Sequence, residues 1–522
     1  MQLAVLDITV VAAYCIGLVT IASLVSREKK GHQKGSEDYF LAGRSLPWWA
    51  IGASLIAANI SAEQIIGMTG SGYAIGLAIA SYEWTAAIAL LLIGKYFIPI
   101  YLEKNIYTMP EFLEKRFDHR VRVLLAFFWL GVYVFVNLTS VLYLGALTIE
   151  IVAGVEMVYG MLFLAGLSLA YSLYGGLKAV AYTDIIQVAI LIVGGIAVTV
   201  LSLDKLSDGA GVIAGFTYLL DAAPEKFDMI LASDHPRYMD LPGISVLVGG
   251  LWIAQFSYWG FNQYITQRAL AAKSLKEAQK GIAFAAFLKL FMPFIVVIPG
   301  IAAFLLVPNL DVSDKAYPEM MKLLPSGLFG LTFAALIAAI VSSLSSMTNS
   351  ISTIFTMDIY RSTFHHLDVS EKRLVLIGRC ASLVALIVAM LVARPLLGDL
   401  DQAFQYIQEF TGFFTPGILV IFLFGLFWRK ATAHSALTAA VVSVVFSLAF
   451  KLWLDQVPFL DRMGLAFLLS AAAAIAVTLY EKGGDHPKAI RLSDFDFSTS
   501  AGFNISSLAV LLILAAFYIA WW

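Results

Sequence analysis

Polar side chains that could bind a small solute occur inside segments that are otherwise apolar. Glu83 precedes a long apolar run, Lys289 stands within the apolar stretch 284–290, and Asp184 begins a further apolar run. An ionisable group within a membrane-spanning helix costs about 2.5–3.5 kcal/mol on insertion scales, so it usually lines a cavity or a pathway. Because Glu83 and Lys289 have opposite charges, they could form a structural ion pair or two walls of a polar pocket.

A run of hydroxyl side chains, SSLSSMTNS, occupies residues 342–350. Serine often bonds to its own helix or lets neighbouring helices pack closely, and this explanation covers most of the run. Paired hydroxyls that face an interrupted helix are also good ligands for a hard cation, which prefers oxygen. The run therefore contains candidate cation ligands.

Two apolar segments are interrupted part-way by small and polar residues, AANISAEQ at 57–64 and QFSYWGFNQ at 255–263. In transporters built from inverted repeats, unwound backbone at such interruptions supplies carbonyl oxygens to a site near the bilayer midplane. Ordinary polar seams between packed helices would give the same pattern. The spacing of the two interruptions, five spans apart, favours inverted repeats of five helices.

Other chemistries have no candidate residues. The glycine-rich stretch 68–73 lacks the lysine and the spacing of a P-loop, so an ion gradient, rather than ATP, is the expected energy source. The seven histidines fall in polar connections and the two cysteines are far apart, which argues against a metal cluster or a disulfide framework. No nucleophile–base pair indicates an enzyme, and 34 basic against 36 acidic residues give no sign of nucleic-acid binding.

The elements that position these residues are predicted to be membrane-spanning helices. The chain has 522 residues, 60% of them hydrophobic and 13% charged, whereas soluble domains contain about 25% charged residues. A helix needs about 20 apolar residues to cross the bilayer, and continuous runs exclude a barrel. We predict an all-α polytopic protein with about fourteen spans, at 4–25, 46–72, 75–103, 123–149, 156–174, 180–203, 243–266, 281–307, 325–358, 374–398, 403–428, 433–453, 461–480 and 503–522.

The loops orient these spans. Basic residues concentrate in the loops after the first, third, seventh and ninth spans, whereas the long loop 204–242 carries seven acidic residues. Positive loops mark the cytoplasm, so both termini are expected outside a cell membrane. The first segment lacks the basic start and the cleavage site of a signal peptide, and we take it as the first span.

Several long stretches resemble the sodium:solute symporter family, most closely its bacterial sodium–sugar branch. The similarity covers essentially the whole chain, and its longest blocks are SLIAANISAEQIIGMTGSGY (54–73), YWGFNQYITQRALAAKSLKEAQKG (258–281) and FAALIAAIVSSLSSMTNSISTIFTMDIY (333–360). The resemblance implies the leucine-transporter (LeuT-like) fold with two inverted five-helix repeats. It divides the chain into an additional helix and loop (1–45), a first repeat (46–203), an extracellular loop (204–242), a second repeat (243–430) and three final helices (431–522).

The resemblance also implies two kinds of site. A sodium ion would be held by the backbone carbonyls of Ala57, Ile60 and Ala339 and by the hydroxyls of Ser342 and Ser343. A second sodium could be held by Asp184, Ser345 and Ser346. The sugar would contact Asn59, Gln64, Glu83, Gln255, Lys289 and Gln408, with Tyr258 on its inner side, Met68 on its outer side and Trp259 beside it.

Two positions depart from the galactose-binding members of this branch. Gln255 replaces an asparagine and Ala86 replaces a serine, so the identity of the sugar stays open. The resemblance therefore implies sodium-coupled import of a neutral, galactose- or glucose-like sugar by alternating access. The alternatives are a symporter for another small solute, such as inositol or an organic anion, and a non-transporting sugar sensor. The expected partners are the sugar, sodium and the lipid bilayer, and the oligomeric state is open.

Overall fold

The computed structural model describes residues 4–25, 44–106, 108–174, 177–361, 371–398 and 401–522 of the chain. Nine helices in this described part are long and apolar enough to cross a membrane, and two bent helix pairs raise that number to eleven. Further described helices occupy the three remaining predicted positions: Val5–Val25, Met157–Tyr174, and the pair Gly250–Phe261 and Gln263–Leu270. The predicted all-α polytopic fold with about fourteen spans is therefore confirmed.

We number the spans in chain order. Spans 1 to 14 are Val5–Val25, Trp48–Asn59 with Glu63–Ala74, Leu77–Tyr96, His119–Ala153, Met157–Tyr174, Leu177–Leu206, Gly250–Phe261 with Gln263–Leu270, Leu275–Leu306, Leu328–Tyr360, Glu371–Leu397, Ala403–Thr411 with Thr415–Phe427, Ala433–Trp453, Phe459–Tyr480 and Ala501–Ala520. We call the side that carries the basic loops the inner side, and the side that carries loop 204–242 the outer side.

Two spans differ from their predicted form. Span 11 was expected to be continuous over 403–428, but its two halves are bent by 48° at residues 412–414, which contain no polar side chain to signal a break. Span 7 was expected to begin at residue 243, but it begins at Gly250, because Gly249 adopts a non-helical backbone conformation (φ −113°, ψ −135°). The interruption within span 7 narrows to a single residue, Asn262, with extended backbone (φ −74°, ψ 123°).

The burial of the spans separates a centre from a periphery. In span 3, 89% of the most apolar window is buried inside the protein, and in span 9 the figure is 83%. In span 14 it is only 17%. Spans 3 and 9 therefore form the interior of the bundle, and span 14 presents most of its surface to the surrounding lipid.

Glycines let spans 2 and 8 approach each other closely. A Cβ atom on Gly52 would lie 2.6 Å from the carbonyl oxygen of Gly281, and one on Gly300 would lie 2.2 Å from that of Thr69. The Thr69 hydroxyl also donates to the carbonyl of Val296 at 2.7 Å. Small residues and interhelical hydrogen bonds are what hold helices together in lipid, so these two spans form one tightly packed pair.

Span 1 is attached to the outer end of span 9 by one carboxylate. Asp7 is buried, and its Oδ1 accepts hydrogen bonds from the amides of Gly327 at 2.7 Å and Gly330 at 3.0 Å. Its Oδ2 accepts one from the hydroxyl of Ser326 at 3.3 Å. Because the first amides of a helix have no partner within the helix, Asp7 acts as the N-terminal cap of span 9.

Candidate functional site

The interruption of span 2 changes the backbone hydrogen bonding in the middle of the bundle. Ile60 has an extended backbone (φ −73°, ψ 95°), and the two halves of the span are bent by 64°. The amide of Gln64 donates to the carbonyl of Ser61 at 3.2 Å, instead of to the carbonyl of Ile60 four residues before it. The carbonyl oxygen of Ile60 is therefore left free of this helical hydrogen bond.

The hydroxyl run of span 9 lies against the first half of span 2. Ser342 donates to Oδ1 of Asp184, at 2.6 Å, which leaves the lone pairs of its own oxygen free to accept. Ser343 is buried, and its hydroxyl has no hydrogen-bond partner among the described residues. Ala339 lies one helical turn before Ser343, on the same face of span 9. Ala339, Ser342 and Ser343 thus lie within about one turn of span 9, which packs against the first half of span 2.

The residues expected at a second sodium do not bond to one another. Asp184 is buried and is held by Ser342 and by Arg268, whose guanidinium lies 3.4 Å from it. Ser345 instead donates to the backbone carbonyl of Ser168, at 3.0 Å. Ser346 lies four residues after Ser342, on the same face of span 9.

A polar cavity of about 80 Å³ lies beside the interruption of span 2. A site needs roughly 10–15 Å³ of such volume to hold one water molecule, so this cavity holds several. Eight of the nine residues predicted to contact a sugar line it: Asn59, Gln64, Glu83, Gln255, Tyr258, Trp259, Lys289 and Gln408. Met68 does not line it and reaches it only through a contact with the amide of Gln64.

Glu83 and Lys289 form an ion pair, and both side chains also line this cavity. The two predicted alternatives, a structural ion pair and a polar pocket, are therefore both correct. The ammonium of Lys289 lies 2.7 and 2.9 Å from the carboxylate oxygens of Glu83, and it also donates to Oδ1 of Asn59. The amide of Gln64 donates to the same carboxylate. Charges buried in a bundle need such partners, because an isolated charge has a large desolvation cost.

Aromatic rings form a further wall of the cavity, next to Lys289 and Asn59. Tyr258 packs edge-on against Trp259 with 5.1 Å between ring centroids, and the Tyr258 hydroxyl accepts a hydrogen bond from Asn59 at 3.3 Å. The ammonium of Lys289 lies 4.9 Å from the centre of the Trp259 ring. Gln255 accepts from the indole of Trp259 at 3.2 Å and donates to the carbonyl of Tyr82 at 2.6 Å. The wall is therefore fixed by hydrogen bonds before any ligand binds.

The outer side of the cavity is closed by the first half of span 11. Phe404 lines the cavity and packs edge-on against Tyr82, with ring centroids 5.0 Å apart. Asp314 accepts the amide of Ala403 at 2.8 Å, and Asp401 accepts the hydroxyl of Ser313 at 2.7 Å. Burial raises the pKa of Asp314 well above its ordinary value, and the negative charge of Asp401 adds to this rise. Loop carboxyl groups thus hold the outer half of span 11 in place.

The inner side contains a second, larger cavity of about 440 Å³, between the short helix Met109–Arg116 and spans 4, 7 and 9. Arg122 lies at its wall, 2.7 Å from Asp358 and in contact with Glu114. Gln263 and Gln267, on the second half of span 7, line this cavity, while Asn262, directly before them, lines the polar one. The bundle is therefore closed on the outer side and contains a vestibule on the inner side.

Several residues that line the polar cavity were not predicted from the sequence, of which Glu63, Asn137 and Asn262 are the most polar. Glu63 carried the same signal as Glu83, an ionisable group within an apolar span, and could have been found by it. Asn137 lies in the π-helical segment Tyr133–Leu138 of span 4, which no feature of the sequence marks.

Comparison with known proteins identifies the family. A family model described as the sodium:solute symporter family matches residues 39–443. A sodium/glucose cotransporter of Vibrio parahaemolyticus is 52% identical over 536 residues, covering 99% of this chain and 98% of that protein. A sodium/myo-inositol cotransporter of Bos taurus is 36% identical over 471 residues, covering 82% of this chain and 64% of that protein.

A solved structure has the same architecture. It shows a Na⁺-coupled sialic acid symporter in a substrate-bound outward-open state, with a TM-score of 0.78 and 23% sequence identity over 91% of this chain and 98% of that one. At this identity the match speaks for the fold alone, and it confirms the predicted leucine-transporter fold. With a family model over most of its length and a full-length relative more than half identical, this multi-pass membrane protein belongs to the sodium:solute symporter family.

Proposed function

We propose that the chain is a sodium-coupled symporter that imports a neutral monosaccharide of the glucose or galactose type by alternating access. The observation that carries this proposal is the polar cavity beside the interrupted span 2, where Glu83, Lys289, Asn59 and Gln64 form one hydrogen-bonded network. The name of the Vibrio relative supports glucose as a substrate. We place the protein in the cell membrane, with both termini outside and the basic loops in the cytoplasm.

The chemistry of the cavity suits a neutral polyol. Sugar hydroxyls both donate and accept, and the cavity offers a carboxylate, an ammonium and several amides within one network. The apolar ring carbons of a sugar can lie against Tyr258 and Trp259, as is usual for pockets with few, fixed polar groups. In this proposal, Gln408 and Gln255 complete the ring of amides, and Met68 supports Gln64 from the outer side.

The sodium ion would bind to the carbonyls of Ala57, Ile60 and Ala339 and to the hydroxyls of Ser342 and Ser343. The unpartnered hydroxyl of Ser343 supports this assignment, because a buried polar group without a partner needs a ligand or a water. The donation from Ser342 to Asp184 supports it too, since it leaves the Ser342 oxygen free to accept the ion.

Both ligands would share the interruption of span 2, which explains how they are coupled. Ala57 and Ile60 belong to the proposed ion site, while Asn59 and Gln64 line the cavity. An ion that orders this backbone also positions Asn59 and Gln64, so each ligand raises the affinity of the other. At about 100 mV an entering charge contributes about 2.3 kcal/mol and a tenfold gradient about 1.4, enough for accumulation of a few hundred-fold.

A second sodium, held by Asp184, Ser345 and Ser346, is a further part of the proposal. The carboxylate of Asp184 is paired with Arg268 and accepts from Ser342, so this ion would share Asp184 with both. Ser345 donates to the carbonyl of Ser168, which leaves its own oxygen able to accept the ion. Uptake current measured against labelled sugar flux tests it: two charges per sugar are expected, and a ratio of one contradicts it.

Two other substrates are less well supported. An organic anion would need an uncompensated cation in the cavity, but Lys289 is paired with Glu83. Inositol is the substrate named for a relative at 36% identity, against 52% for the sodium/glucose cotransporter. A sensor of the same fold would bind sugar without accumulating it.

The test is sugar accumulation in proteoliposomes that contain the purified chain. With sodium outside, labelled glucose or galactose should accumulate above its equilibrium level, and it should not do so when potassium replaces sodium. A panel with inositol and sialic acid ranks the substrates. Sodium-dependent sugar binding without accumulation would support the sensor instead, and no sodium-dependent binding of any monosaccharide contradicts the proposal.

A further inference from the structure

The polar cavity contains a second carboxyl group that the proposed sugar site does not use. Glu63 lines the cavity and begins the π-helical segment Glu63–Gly67, directly after the interruption of span 2. Its Oε1 atom is buried and has no hydrogen-bond partner in the described part of the chain. A buried acceptor without a donor is unfavourable, so this atom is a place where a solute can supply the missing hydrogen bond.

The cavity has an excess of one carboxyl group over its cations. Among the described residues that line it, the charged ones are Glu63, Glu83 and Lys289. Lys289 is paired with Glu83, with 2.7 Å between the ammonium and the carboxylate. The buried cation Arg268 does not line the cavity and is paired with Asp184. The carboxyl group of Glu63 therefore has no protein cation beside it at the cavity, and a buried carboxyl group without such a partner favours its neutral form.

One neutral side chain supports Glu63. Asn137 is buried, lines the same cavity and lies within hydrogen-bonding reach of the Glu63 carboxyl. An amide can orient a carboxyl group without neutralising it. The pair Glu63 and Asn137 thus forms a polar wall that is separate from the network around Lys289.

We propose that Glu63 determines which sugars the cavity accepts by their charge. Its carboxyl group accepts hydrogen bonds from donor groups of a neutral sugar and gives up its proton to become the counter-ion of a cationic one, whereas an anionic sugar finds no uncompensated cation among the described residues of the cavity. The inference rests on the proposed sugar transport and adds a residue to its specificity. It predicts that amino sugars are ligands and that uronic acids are not.

The experiment compares two glucose derivatives that differ in charge at the same carbon, 6-amino-6-deoxyglucose in its protonated form and glucuronate. Each competes with labelled glucose in sodium-driven uptake. In the unaltered protein the amino sugar should inhibit at least about tenfold more strongly than glucuronate, because a unit charge at close range in a protein is worth at least one decade in affinity. In Glu63→Gln this preference should fall by about tenfold or more, whereas Glu63→Asp, which keeps an ionisable carboxyl group, should retain it.

Direct binding makes the test independent of transport. Trp129 and Trp259 line the cavity, so quenching of their fluorescence reports binding of each derivative in detergent. Glu150→Gln removes a carboxyl group from an exposed position and should leave both affinities unchanged. Equal binding of the two derivatives to the unaltered protein, or an unchanged preference in a folded Glu63→Gln, overturns the proposal. Absence of sodium-driven glucose uptake, with the charge preference intact in binding, would instead overturn the proposed transport and leave the role of Glu63 standing.

Discussion

Replacement of Lys289 by methionine, which keeps the length of the side chain and removes its charge, tests the network at the centre of the cavity. Lys289 and Glu83 are nearly inaccessible, with side-chain exposures of 1% and 4%. Removing one partner of a buried ion pair costs about 3–5 kcal/mol, because the other charge stays buried without compensation. We therefore expect a large fall in the thermal stability of Lys289→Met.

The same substitution should weaken sugar binding more than sodium binding. A hydrogen bond to a charged group contributes about 1.5–3 kcal/mol, which corresponds to an affinity loss of about ten- to hundredfold for one lost contact to the sugar. The proposed sodium ligands are carbonyls and hydroxyls of spans 2 and 9, and none of them contacts Lys289. Sodium affinity, followed by sodium-dependent thermal stabilisation, should change much less than sugar affinity, followed by tryptophan fluorescence.

A double substitution separates the two roles. Lys289→Met with Glu83→Gln removes both charges, and a neutral pair of similar volume is often as stable as the buried ion pair. We expect the double variant to recover most of the stability lost by Lys289→Met and none of the sugar affinity. Unchanged sugar affinity in Lys289→Met would refute the place of this residue in the sugar site. A double variant as unstable as the single one would refute the reasoning about the unpaired charge.

Three further substitutions test other parts of the structure. Ser343→Ala should abolish sodium-dependent uptake with little loss of stability. The control Ser470→Ala removes a buried hydroxyl that donates to its own helix at 2.7 Å, and it should leave uptake unchanged. Equal uptake in both variants would contradict the sodium site. Because burial raises the pKa of Asp314 in the outer-closed state, the neutral form of Asp314 stabilises that state. This stabilisation is complete below the ordinary pKa of aspartate, and it is lost as the pH rises through the raised pKa of Asp314. Labelling of Phe404→Cys from outside, in a background without the native cysteines, should thus increase with pH more steeply than ionisation of the thiol alone requires. Asp314→Asn should remove that excess. Asp7→Ala should lower the free energy of unfolding by about 0.5–2 kcal/mol, the usual cost of a lost helix cap. Transport per folded molecule should stay the same. An unchanged melting temperature would show that Asp7 does not act as the cap of span 9.

The positions of the spans could be predicted because length and hydrophobicity are sufficient for that purpose. The bend of span 11 was not predicted, although Gly412 follows its first half and Pro416 lies in the first turn of its second half, which are signals of a helix end and a helix start. The start of span 7 was predicted too early because the residues before Gly250 are apolar. Only the non-helical backbone of Gly249 sets the first residue of the span at Gly250.

The site could be predicted in its residue types but not in its pairings. Opposite charges in spans 3 and 8 left a structural pair and a polar pocket equally open, because sequence gives no distance between Glu83 and Lys289. The ammonium group has three donors, so it can bond to both oxygens of Glu83 and to Asn59 while it lines the cavity. The pairing of Asp184 with Arg268 depends in the same way on the packing of spans 6 and 7.

The interruption of span 2 limits how solute preference can diverge within such a scaffold. If eight consecutive residues hold the ion and also touch the solute, a change there that suits a new sugar will disturb the driving ion as well. Neutral drift towards new sugars is therefore expected at cavity positions on other helices, where the ion is not a neighbour. Ala86 in span 3 and Gln255 in span 7, where the family resemblance predicts a departure from galactose-binding members, are both of that kind.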